Sequence, residues 1–164
     1  MSSATRSELD IVSAKETGRA SGWASVLFAR LERFGVLYAR IALGGAFLSA
    51  VADRFGFWGK YGGWGNFATF TKYTAQVNSF MPSFLIPFLA WTATAAETSL
   101  GILLILGLWT RWVSLAAAIL LAMFGTAMAI SFGIKTPLDY SVFSASAAAL
   151  LLALWQNREE GNRR

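Results

Sequence analysis

Four long apolar stretches, residues 34–56, 84–108, 112–134 and 137–156, fill most of this chain and constrain it more than any other feature. Each is long enough to cross a hydrocarbon core, which takes roughly 20 helical residues. The expected fold is therefore an all-α membrane protein, a four-transmembrane-helix bundle. Charged residues make up 14% of the chain, against about 25% in a soluble domain, and that deficit agrees with lipid exposure. Four spans and their connections use nearly all of the 164 residues. No length remains for a soluble catalytic domain between the spans. The chain divides into a polar tail (1–21), a membrane domain (22–156) and a short polar tail (157–164).

Cysteine and histidine are both absent. This excludes disulfides, thiol redox chemistry, cysteine-ligated iron–sulfur clusters and histidine-ligated haem within the chain. The nine acidic residues show no ligand spacing, so no metal site is expected. The net charge of +5 reads as membrane flanking and not as nucleic-acid binding. Nine basic residues, among them Arg6, Lys15, Arg19, Arg30, Arg33 and Arg111, fall on one side of the spans, and four (Arg54, Lys60, Lys72, Lys135) fall on the other. Positive residues favour the cytoplasmic side, which places both termini in the cytoplasm.

Residues 1–21 lack the apolar run and cleavage site of a secretory signal and read as a flexible tail. Trp23, Val26, Leu27, Leu31 and Phe34 recur at helical spacing, predicting an interfacial helix that runs into the first span. The long connection over 57–83 is rich in aromatics. Tyr61, Trp64, Phe67, Phe70 and Tyr73 recur every three residues and predict an interfacial aromatic helix at the outer surface, preceded by Gly59, Gly62, Gly63 and Gly65. Pro82 and Pro87 punctuate entry into the second span. A tight turn at Leu108–Arg111 makes spans two and three antiparallel neighbours. Ala118, Ala122, Gly125 and Ala129 in the third span, and Ser141, Ala145 and Ala149 in the fourth, are small enough for close helix contact.

A charge in lipid costs at least ~2.5–3.5 kcal/mol on insertion scales, so the charges inside the spans are the candidates for function or for pairing. Glu97 lies about 13 residues from one end of its span and about 11 from the other, near the bilayer centre. Arg40 lies within the first span at a depth roughly 7 Å from it, which a long side chain covers. The expected arrangement is an Arg40–Glu97 ion pair. It would either fix how spans one and two dock or act functionally, as a proton-handling carboxylate or as an anchor for a polar headgroup such as a quinone. A second, outer polar cluster is expected from Asp53, Arg54, Lys135 and Asp139. Beneath the aromatic segment it would either snorkel at the interface or hold an amphipathic ligand. No nucleophile–base pair and no phosphate-binding loop is present.

The first span reads Arg40-x3-Gly44-x2-Phe47 and ends at Arg54. The second reads Glu97-x3-Gly101-x-Leu103-Leu104-x-Leu106-Gly107-x2-Thr110-Arg111. In order, spacing and placement these motifs resemble the DoxX/DoxD-like family of small four-helix bacterial membrane proteins, over about residues 36–155. Arg54 stands where the family usually has a lysine, Val51 where it usually has a glycine, and Ala50 at a usually polar position. The resemblance implies a bacterial inner-membrane location. It also implies a link to quinone redox chemistry, because the family's best-known branch is the membrane subunit of a thiosulfate:quinone oxidoreductase. Electrons would come from a partner protein, and quinone would be the one non-covalent cofactor. The alternative is a non-catalytic accessory subunit of a larger respiratory or photosynthetic complex; a transporter has less support. A quinone would be expected under the aromatic segment, stacked on Trp58, Tyr61 and Trp64, with Arg54 and Lys135 as donors and Asp139 orienting them.

Overall fold

A computed structural model describes the backbone of residues 3–162 and the side chains of Trp23 and residues 25–156. Among the described residues there are six α-helices: α1 (Ser3–Arg54), α2 (Phe67–Val77), α3 (Ile86–Leu106), α4 (Thr110–Phe132), α5 (Lys135–Asp139) and α6 (Val142–Asn162). There is no strand among the described residues. Three segments, Ser25–Arg54, Ser83–Leu106 and Thr110–Phe132, are long and apolar enough to cross a membrane, and Val142–Gln156 is a shorter apolar helix. The chain is an all-α membrane protein, as its apolar stretches predict.

Two units are distinguished, Met1–Tyr38 and Ala39–Arg164. In the first, the backbone is helical from Ser3, where its polar composition suggested a flexible tail. The stretch carries no proline and is rich in Ala, Glu, Lys, Arg and Leu, the residues that lose least on entering a helix. Trp23, Leu27 and Phe34 are exposed, as an interfacial or lipid-facing stripe requires, and Phe34 stacks on Tyr38 at 6.3 Å. The side chains of 157–164 lie outside the described residues, and the backbone of α6 stays helical to Asn162.

In the second unit the helix ends follow the local chemistry. Gly107 adopts φ 73° and closes α3. Its amide donates to the carbonyls of Leu103 and Leu104, and that of Leu108 to Leu103. This is the left-handed glycine cap that satisfies orphan carbonyls at a helix end. Asn66 caps α2 by accepting from the Thr69 amide at 2.9 Å, one of the donors that a helix start leaves free. Gly133, at φ 87°, closes α4.

The fourth span departs from expectation. A single helix over 137–156 is replaced by the one-turn α5, a break at Tyr140–Ser141, and α6. Ser141 sits at φ 54°, which turns the chain before α6 starts. No glycine marks this turn, and Pro137 lies fully buried within α5. Helices α4 and α6 then pack closely. Ala117 and Ala149 are fully buried, a side chain on Gly125 would run into the Phe143 ring, and Ser146 Oγ donates to the Ala118 carbonyl at 2.8 Å. Small residues permit this approach, as in lipid-embedded bundles generally.

Candidate functional site

Two glycines set how α1 and α3 meet. A Cβ on Gly44 would lie 2.8 Å from the Gly101 carbonyl oxygen, and one on Gly101 would lie 2.9 Å from Leu48 Cγ. The helices run antiparallel with residue 44 beside 101. Arg40 therefore lies beside the last turn of α3. Its Nε donates to the Leu104 carbonyl at 2.9 Å and its Nη2 to that of Ile105 at 3.1 Å. A guanidinium at a helix C-terminus satisfies orphan carbonyls and opposes the negative end of the helix dipole.

Glu97 pairs instead with Arg54. Nη2 of Arg54 donates to Oε1 at 2.6 Å and Oε2 at 2.7 Å, while Nη1 donates to Thr94 Oγ1 at 2.8 Å. Both members of the pair are 3% exposed. Thr94 Oγ1 in turn donates to the Ala90 carbonyl at 2.8 Å, so its hydrogen is committed and its lone pair faces the guanidinium. The Arg54 guanidinium carbon sits 3.8 Å from the centroid of the Phe70 ring and 5.7 Å from that of Trp64. Arg54 Nε is buried without a hydrogen-bond partner.

The Arg40–Glu97 pair expected from depth is thus corrected to Arg54–Glu97, and side-chain direction explains it. Taking 44 beside 101, Glu97 is level with Leu48, about 9 Å along α1 from Arg54 and about 12 Å from Arg40. The two separations are comparable. Every Cα–Cβ bond in a helix tilts toward that helix's N-terminus. On antiparallel helices Arg54 and Glu97 therefore lean toward each other, whereas Arg40 and Glu97 lean apart.

The second expected cluster also separates into independent parts. Arg54 turns into the bundle. Asp53 Oδ2 accepts from the backbone amides of Gly63 at 2.9 Å and Trp64 at 3.2 Å. Lys135 and Asp139 pair with each other one turn apart on α5, exposed to the surroundings. The aromatic walls do come together: Trp58, Tyr61 and Trp64 line a cleft of ≈ 570 Å³ with Asp53 and the small residues Ala46 and Ala50. Arg54 and Lys135, the expected donors, are not part of its lining. The cleft offers a carboxylate instead, and a ligand with carbonyl acceptors needs donors.

The aromatic segment is anchored on the helices beneath it. Phe67 packs on Trp91 with centroids 4.3 Å apart, and Phe55 on Phe67 at 5.7 Å. Tyr73 lies 5.8 Å from Trp64 and 6.2 Å from Phe132. Burial, and secondarily the charge of Tyr140, hold its phenol above the usual tyrosine range. Sequence reasoning missed Thr94 and the role of Phe70. Thr94 lies three residues before Glu97, on the same helical face, and Phe70 belongs to the three-residue aromatic repeat, so both carried a readable signal.

This bundle, with an ion pair sealed among its helices, defines a multi-pass α-helical membrane protein. The DoxX family profile matches residues 35–132, well over half the chain, and the chain belongs to the DoxX family. The match takes in Arg40, Arg54, Thr94 and Glu97 and ends at the last residue of α4. No curated protein and no solved structure matches the chain.

Proposed function

We propose that this chain is a membrane subunit that binds a quinone within the bilayer, its electrons supplied by a partner protein. The observation that carries this reading is the Arg54 Nε donor, buried and unpaired beneath two aromatic rings. A buried polar group without a partner is uncommon and calls for an explanation. A ligand carbonyl would satisfy it, and Phe70 and Trp64 offer faces for a flat ring. The donor set fits a quinone better here than in the neighbouring cleft, where Asp53 is an acceptor. When bound, a quinone would supply the two-electron, two-proton couple that this chain's side chains lack.

The chain's own residues have defined tasks in this reading. Arg54 binds a carbonyl oxygen through Nε while its two other nitrogens stay held by Thr94 and Glu97. Glu97 balances the guanidinium charge, which is costly to leave alone in a membrane. Its carboxylate is also the group able to take up a proton within the span. Phe70 and Trp64 exclude water, which strengthens every electrostatic interaction beneath them.

The test uses protein in lipid nanodiscs and a short-chain benzoquinone or naphthoquinone, read by quenching of tryptophan fluorescence. Saturable quenching is expected, weakened about tenfold or more by Arg54→Lys, since lysine lacks the guanidinium's fixed fork of donors. Absence of saturable quenching in the parent protein, or equal affinity in the variant, overturns the reading. Native purification gives an independent check. Recovery with a respiratory or photosynthetic complex but without quinone favours the accessory-subunit alternative.

A further inference from the structure

The Arg54–Glu97 pair is 3% exposed on both members, so nothing as large as a ring reaches it unless the aromatic cover moves. Trp64 belongs to a segment, 56–65, in which Gly56, Gly59 and Gly65 hold φ of 77°, 54° and 69°. Glycine visits this region at no steric cost, and such positions absorb changes of backbone angle readily. Two side-chain ties join the segment to α1. Asp53 Oδ2 accepts from the Gly63 and Trp64 amides, and Trp58 Nε1 donates to the Ser49 carbonyl at 3.1 Å. Helix α2, by contrast, is fixed at both ends. Phe67 packs on Trp91, and near its far end Ser131 Oγ donates to the Val77 carbonyl at 2.6 Å.

Gly62 adds an independent constraint. A Cβ there would collide with Asp53 Oδ1, so any larger residue forces this carboxylate to shift from its place against the segment. Two consecutive backbone amides, a charged acceptor and a glycine without a side chain together make a closure. Hydrogen bonds to charged groups are about twice as strong as neutral ones.

We propose that segment 56–65 is a lid over the Arg54–Glu97 site and that the Asp53 carboxylate is its latch. Asp53 acts through Trp64, whose amide it holds and whose ring covers the guanidinium; it is a positioning residue and does not touch a ligand. Opening swings Trp64 out of its ring contacts with Phe70 at 5.2 Å and Tyr73 at 5.8 Å, which stay with α2, and exposes one side of the guanidinium. The inference rests on the proposed function only for the identity of what enters, and the lid is tested without any ligand.

Because the chain has no cysteine, one introduced thiol reports on access. Thr94→Cys places it beside Arg54, and its reaction rate with a small methanethiosulfonate reagent is measured in nanodiscs. A second reporter, Ala117→Cys, lies fully buried away from the lid. Asp53→Ala and Gly62→Ala are each expected to raise the rate at position 94 about tenfold or more, the size that loss of charged hydrogen bonds implies, with Asp53→Asn between. The rate at position 117 is expected to stay unchanged. Unchanged rates at position 94 overturn the latch. Equal increases at both positions also overturn it, because they show general loosening. A lid that opens on cue in a protein that binds no quinone removes the ligand and leaves the latch standing.

Discussion

Arg54 and Glu97 form an ion pair with both members 3% exposed, so each is the other's charge compensation. Removing one member of a buried pair leaves a charge without compensation and costs about 3–5 kcal/mol, whereas replacing both by apolar residues of similar volume is often neutral. Glu97→Leu is therefore expected to destabilise the detergent-solubilised protein by that amount, and adding Arg54→Met should recover most of the loss. Thermal unfolding of the two single variants and the double variant checks this; additive losses would falsify the pairing. The residue types were readable in the sequence, since charges within apolar spans stand out. The partner of Glu97 was not, because Arg40 and Arg54 lie at comparable distances. Only the 44-to-101 register and the tilt of each side chain decide between them. Lys135 and Asp139 show the opposite case, being spaced one turn apart and paired locally as that spacing dictates.

At the scale of elements, the end of α3 joins two features that reasoning along the sequence treats separately. The Gly107 cap needs a left-handed residue, and the guanidinium of Arg40 lies directly against its Cα, where a Cβ would have to go. Gly107→Ala thus meets two penalties: about 1–2 kcal/mol for an L-residue in that conformation and a clash with Arg40. In an Arg40→Ala background only the first remains. The substitution is expected to cost less there, and a double-mutant cycle on melting temperature reads the difference. Equal costs in both backgrounds would show that Arg40 is free to move aside. Helices α3 and α4 were legible because Pro87, Gly107 and Gly133 mark their ends. The break between α5 and α6 was not, since Ser141 takes a left-handed conformation that its residue type does not announce. The helical backbone from Ser3 was also hidden, because polar composition masks a proline-free run of good helix formers.

The whole molecule is expected to insert with both termini in the cytoplasm, on the count of basic residues at each side of the spans. Reporter fusions after residues 65 and 135 should then both appear on the far side of the membrane. A cytoplasmic signal from either refutes that orientation. A third fusion, at the C-terminus, tests α6, whose apolar part, Val142–Gln156, is shorter than the other three; a cytoplasmic signal there is expected if α6 crosses. A 15-residue helix rises only about 22 Å, so this corner of the bundle either draws the bilayer thinner or extends into the interface through the rest of the helix.

One consequence of the internal ion pair is electrical. Arg54 and Glu97 cancel each other's charge inside the span, so a membrane voltage exerts no net force on the pair. Replacing Glu97 by Gln leaves one positive charge at that depth. A full crossing of the membrane field is worth about 2.3 kcal/mol per charge for each 100 mV, and a charge part-way across feels a share of it. Such a variant would be pulled toward one face of an energised membrane and pushed back by the opposite polarity. In the parent chain the two paired charges feel no such net pull.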